Sequence, residues 1–117
     1  MKANELRIGN WVETNEGYKR VAELDKYGIS YHITPDAVKL ELCKYIKPIP
    51  LTEEWLLKCG FRKLDKYTFV KNKWFVYKRK RGFVTASKKR EVKLDYVHLL
   101  QNWYYFNTNG EELELQL

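Results

Sequence analysis

Two clusters of positive charge, Lys78-Arg79-Lys80-Arg81 and Lys88-Lys89-Arg90, flank the short stretch Phe83-Val84-Thr85-Ala86. Ammonium and guanidinium groups at this density suit phosphate binding. Each neutralises one backbone charge and releases its counterion, and arginine adds paired hydrogen bonds. Lys71, Lys73 and Lys93 extend the field, and Tyr77 offers a ring on which an unpaired base can stack. These eleven residues form the candidate interface. Residues 62–93 hold thirteen basic residues against two acidic ones, a local charge of +11. The rest of the chain holds nine basic against thirteen acidic residues, or −4, so the overall +7 conceals a strong asymmetry. Charge crowded in this way repels itself and usually faces a polyanion or decorates a surface loop. The plainer alternative is a pair of solvated turns, with lysine guarding strand edges against aggregation. Seven cations without an intervening carboxylate exceed what that protection needs.

Other chemistry has thinner support. His98 follows Asp95 by three positions and lies near Lys93. A ribonuclease needs a base, an acid and a phosphate clamp. His32 is the only other imidazole, and it sits in an unrelated stretch. There is no phosphate-cradling glycine loop, nucleophile elbow or paired-carboxylate metal motif. The expectation is therefore a protein that is not an enzyme. Cys43 and Cys59 form no CxxC pair and have no neighbouring histidine, which argues against structural zinc. Both are expected to be small buried hydrophobes in a reducing compartment. No metal or cofactor is expected. Glu111, Glu112 and Glu114 read as the wet side of a last strand; alternatively they neutralise a basic patch on a neighbouring copy, which leaves a homodimer open. No apolar run approaches the roughly 20 residues that span a bilayer, and the polar start Met1-Lys2-Ala3-Asn4-Glu5 lacks a signal core. A soluble, cytoplasmic protein is expected.

The elements that must position these residues suggest an α+β domain spanning residues 1–117, with an N-terminal lobe, residues 1–50, and a second lobe, residues 51–117. In the first, short alternating runs separated by Asn15-Glu16-Gly17 and by residues 25–28 predict an antiparallel β-meander, an SH3-like half-barrel. Residues 34–47 fit strand or loop. Thr52 is a natural N-cap; Glu53 and Glu54 suit the positive helix end, and Gly60 suits the C′ position. Trp55, Leu56 and Cys59 share one face of this short helix. A second antiparallel meander follows: residues 67–70, residues 74–77 running into Lys78–Arg81, residues 83–86 after a break at Gly82, a turn at residues 87–90, and a short strand at 92–94. Pairing of 74–81 with 83–90 around Gly82 sets Trp74, Val76, Lys78 and Lys80 on one face and Phe75, Tyr77, Arg79 and Arg81 on the other. Asp95 is expected to cap a C-terminal helix from Tyr96 to about Asn107. Its buried stripe is expected to be Tyr96, Leu99, Leu100, Trp103 and Phe106. A final strand should bury Leu113, Leu115 and Leu117.

Three segments, residues 4–12 (NELRIGNWV), 49–61 (IPLTEEWLLKCGF) and 96–113 (YVHLLQNWYYFNTNGEEL), resemble a group of small proteins of Bacteroidota genomes, prophages and phages. The resemblance implies a phage or mobile-element setting and supplies no catalytic residues. It covers both ends and the centre but not the charge of residues 62–93. A basic protein of this size in that setting suggests an anti-CRISPR-type inhibitor of host defence. Inhibitors that mimic DNA are acidic, so this one would contact RNA or an RNA-guided effector instead. The leading expectation is thus an accessory protein that binds nucleic acid, RNA favoured over DNA, or an RNA-guided effector. A structural or interaction module with solvated basic loops stands second, and a small ribonuclease third.

Overall fold

The computed structural model describes residues 1–87 and 90–115, and the fold is α+β, with antiparallel sheets and two α-helices. The chain divides into two compact units, Met1–Ile49 and Pro50–Leu117.

The first unit is built from β1 (Trp11–Thr14), β2 (Gly17–Arg20), β3 (Glu23–Leu24), β4 (Gly28–Thr34) and β5 (Ala37–Leu42). Strands β1 and β2 form one hairpin, and β3-β4-β5 form a three-stranded sheet. The turn at Asn15-Glu16 ends on Gly17 at φ 96°, a left-handed conformation that costs glycine least. Thr14 locks this turn: its hydroxyl accepts from Glu16 N at 3.1 Å and donates to Gly17 O at 2.8 Å. Between β2 and β3 the chain bends while continuing both ladders. Val21 N donates to Asn10 O and Ala22 N to Ser30 O, each at 2.8 Å. The Asp25 carboxylate accepts from Tyr27 N and Gly28 N, closing the next turn. Residues 34–47 resolve into the Pro35-Asp36 turn, β5, and a 3₁₀ turn at Cys43–Tyr45. Lys47 then returns to Glu13, exchanging backbone bonds of 2.9 and 3.0 Å. Leu6, Val12, Val21, Ile29, Tyr31 and Ile46 form the core.

The second unit opens with α1 (Glu53–Lys58). Thr52 caps it as expected, its Oγ1 accepting from Trp55 N at 3.3 Å. At the other end Gly60 N bonds Leu57 O and Phe61 N bonds Leu56 O, a Schellman closure with Gly60 at φ 91°. Strands β6 (Arg62–Asp65), β7 (Thr68–Lys71), β8 (Trp74–Arg79), β9 (Gly82–Ser87) and β10 (Arg90–Lys93) form a meander in sequential order. Strand β6 is absent from the sequence reading because all four of its residues are exposed, leaving no alternation to detect.

Helix α2 (Val97–Asn107) corrects two expectations. Its N-cap is Tyr96, and no side chain caps it; Asp95 instead gives its carbonyl to Leu51 N at 3.0 Å. Its buried face is Val97, His98, Leu100, Gln101 and Tyr104, while Phe106 is 74 % exposed. Apolar residues lie nearly all round this helix, so two stripes fit a 3.6-residue period equally well. Beside the buried face of the helix, the half-buried Trp103 ring meets Trp74 edge-on with centroids 5.8 Å apart. Beyond it Asn109 (φ 60°) and Gly110 (φ 92°) reverse the chain. Residues 111–115 form no strand, although Leu113 is buried; Leu117 lies outside the described residues. No helix among the described residues is long and apolar enough to cross a membrane.

Candidate nucleic-acid interface

The register of β8 and β9 decides where the basic residues go. Tyr77 pairs with Val84, Lys78 with Phe83 and Arg79 with Gly82. The loop is therefore Lys80-Arg81, a two-residue connection, and Gly82 is the first residue of β9 rather than the pivot. Both loop residues keep negative φ, and the left-handed position falls on Gly82 at φ 132°.

Alternation then separates neighbours in sequence. On one face Val76 and Phe83 are buried, and Lys78 reaches Glu53 of α1 at 3.2 Å. Lys63 of β6 reaches the same carboxylate at 2.7 Å. Lys63 first, then Lys78, hold the Glu53 carboxyl below the usual carboxylate range. Lys78 thus serves the start of α1.

The opposite face carries Phe75, Tyr77 and Arg79 in succession along β8. The two rings stack nearly parallel, 8° apart with centroids at 6.3 Å. The Arg79 guanidinium carbon lies 5.3 Å from the Tyr77 centroid, within cation–π range. Arg79 also meets Glu91 of β10 at 3.1 Å, a solvent-exposed pair worth little by itself. The row continues across the sheet from Tyr77 through Val84 to Lys93. Phe75 is 39 % exposed and Tyr77 half-buried. Phe75 falls outside the expected set, although its position two residues from Tyr77 already places it on the same face.

The eleven expected residues therefore do not form one patch. Arg79, Lys80, Arg81 and Lys93 line a recess of about 360 Å³ at the hairpin tip, together with Glu91 and Asp95. No ion pair involves Lys80, Arg81, Arg90 or Lys93 among the described residues. Arg90 is exposed at the start of β10 and alternates onto the Val92 face. Lys71 and Lys73 lie at the far end of β8, roughly 17 Å away at about 3.4 Å per residue. Lys71 Nζ lies beside Gly60, and Lys73 Nζ sits 5.3 Å above the Trp74 ring. Lys88 and Lys89 lie outside the described residues.

Two of the remaining chemical candidates, His98 and Cys59, are buried. His98 is 2 % exposed, its ring stacked on Tyr96 at 5.8 Å. Burial pushes the Cys59 thiol up to about 12, outweighing nearby Lys71, so it stays protonated at neutral pH. Cys43 is only half-buried, against expectation, in a 3₁₀ turn that buries none of its residues; both cysteines are free. Among the described residues no three His, Cys, Asp or Glu side chains gather as a metal site. No protein-family model, curated protein or solved structure matches the chain.

Proposed function

We propose that the protein is a non-enzymatic accessory protein of a phage or mobile element that binds single-stranded RNA, free or within an RNA-guided defence effector, making it an anti-CRISPR-type inhibitor. The contact surface is the outer face of β8 with the adjoining hairpin tip. One observation carries the reading: Phe75, Tyr77 and Arg79 form a continuous stack on a partly exposed sheet face, beside cations that hold no ion pair among the described residues. Rings of this kind accept bases of any sequence, while Lys80, Arg81 and Lys93 meet phosphates. Lys78 leaves the proposed interface, since it lies on the opposite face of β8, with its ammonium beside Glu53. The phage setting rests on the three resembling segments. We also read the first unit as an SH3-like half-barrel, which the bent β2–β3 passage and the return of Lys47 to Glu13 support.

Mobility of a short labelled RNA at low salt tests the proposal. The Phe75→Ala/Tyr77→Ala double variant should lose at least about 30-fold in affinity, given about 1–3 kcal/mol for each of two stacked bases. Single strands should be preferred over duplex. Absence of any shift by the unmodified protein at low salt would eliminate direct RNA binding. An interaction module is the second reading, favoured by the apolar face of β5 described next.

A further inference from the structure

Strand β5 is an edge of its sheet, in the order β3-β4-β5. Cys43 N donates to Tyr27 O at 2.9 Å just beyond it. Hydrogen-bonded pairs alternate in an antiparallel ladder, so Lys39 and Glu41 direct their backbone groups to β4. The N–H and C=O groups of Val38, Leu40 and Leu42 consequently point outward from the edge. The side chains of these three residues share one sheet face and are 48, 79 and 50 % exposed. Opposite them in the register stand His32, Ser30 and Gly28. Edge strands are usually blunted by charge or proline. This one carries Lys39 and Glu41 on its other face, but leaves three outward backbone positions flanked by three exposed apolar side chains.

The sequence of the edge indicates what covers it. Val38-Lys39-Leu40-Glu41-Leu42 is complementary to its own reverse. With Leu40 opposite Leu40 of a second copy, antiparallel pairing sets Val38 against Leu42 and Lys39 against Glu41. Both the apolar face and the charges then match, and the outward backbone groups satisfy one another. A parallel alignment would oppose lysine to lysine. Isologous contacts of this kind close on a two-fold axis and stop at a dimer. We propose that the protein forms a homodimer by antiparallel β5–β5 pairing centred on Leu40. Lys39 now meets Glu16 at 3.2 Å and Glu41 meets Asn15 at 3.2 Å, both through exposed contacts that cost little to exchange. The proposal is independent of RNA binding.

Sedimentation of the full chain across concentration provides the test, with circular dichroism as the check on folding. The unmodified protein should be a dimer at high concentration, and Leu40→Asp a folded monomer. Lys39→Glu and Glu41→Lys alone should each raise the dimer Kd about 10-fold, since each creates two like-charge cross-strand oppositions. The double exchange Lys39→Glu/Glu41→Lys should return Kd to within about 3-fold of the original, because the oppositions become attractive again. That restoration depends on the register, so a structural effect of either charge would not produce it. A monomer at hundreds of micromolar, or a dimer indifferent to Leu40→Asp, overturns the proposal. The first of these results would assign the apolar edge to a partner of different sequence.

Discussion

Glu53 shows how one carboxylate can absorb charge that sequence counting assigns to a binding surface. It begins α1 and holds Lys63 and Lys78 from two strands. The pairing lowers its pKa in the folded state. A carboxyl with a depressed folded pKa contributes stability above its unfolded value, and that contribution is lost as pH falls through the folded one. Melting temperature should therefore drop on acidification below about pH 4.3, the ordinary glutamate value. The acid limb should be shallower in Glu53→Gln, measured by thermal melts at low salt. An unchanged limb would mean that the two lysines are held by something else. The site was legible in the sequence at this scale only in part. The sign and density of charge were plain, and so was the alternation of β8. What a linear reading could not supply was Glu53, ten positions before Lys63 and twenty-five before Lys78.

Among the elements, α1 was the most readable, because its capping and closing signals are local. Gly60 makes the strongest single claim. At φ 91° a side chain is strained by about 1–2 kcal/mol, and an added Cβ would come 2.7 Å from Lys71 Nζ. The lysine tip can swing aside, so the backbone supplies most of the cost. Gly60→Ala should lose about 1–2 kcal/mol in urea unfolding, with the m-value unchanged. A neutral substitution would contradict the Schellman closure. The elements that escaped the sequence are those shaped by tertiary context. Strand β6 buries none of its residues, and its pairing depends on β7. Helix α2 has apolar residues on several sides, and contact with Trp74 helps set its orientation. Residues 111–115 alternate like a strand but find no partner strand, while Thr108 Oγ1 accepts from Glu111 N at 3.2 Å. The two-residue loop at Lys80-Arg81 also shifts the hairpin by comparison with a pivot at Gly82. That shift leaves Tyr77 and Arg79 on their expected face and brings Lys93 into the Tyr77 row.

At the scale of the whole molecule, charge is divided unevenly between the two units. Residues 1–49 carry eight basic and seven acidic side chains; residues 50–117 carry fourteen and eight. Long-range attraction of a polyanion is thus directed to the second unit. If Lys80 and Arg81 each neutralise one phosphate of a single strand, replacing both with serine should flatten the slope of log K against log salt by about 1.4. The melting temperature should barely change, because neither residue holds an ion pair among the described residues. An unaltered slope would remove the hairpin tip from the binding surface while leaving the Phe75–Tyr77 stack to be judged separately.

Strand β8 assigns consecutive residues to different tasks: Val76 and Lys78 to the packed side, Phe75, Tyr77 and Arg79 to the outer one. Selection can therefore act on the two sets separately. The outer three positions and the tip can vary without renegotiating the fold. In β8, evolvability is a consequence of the two-residue repeat of the strand itself.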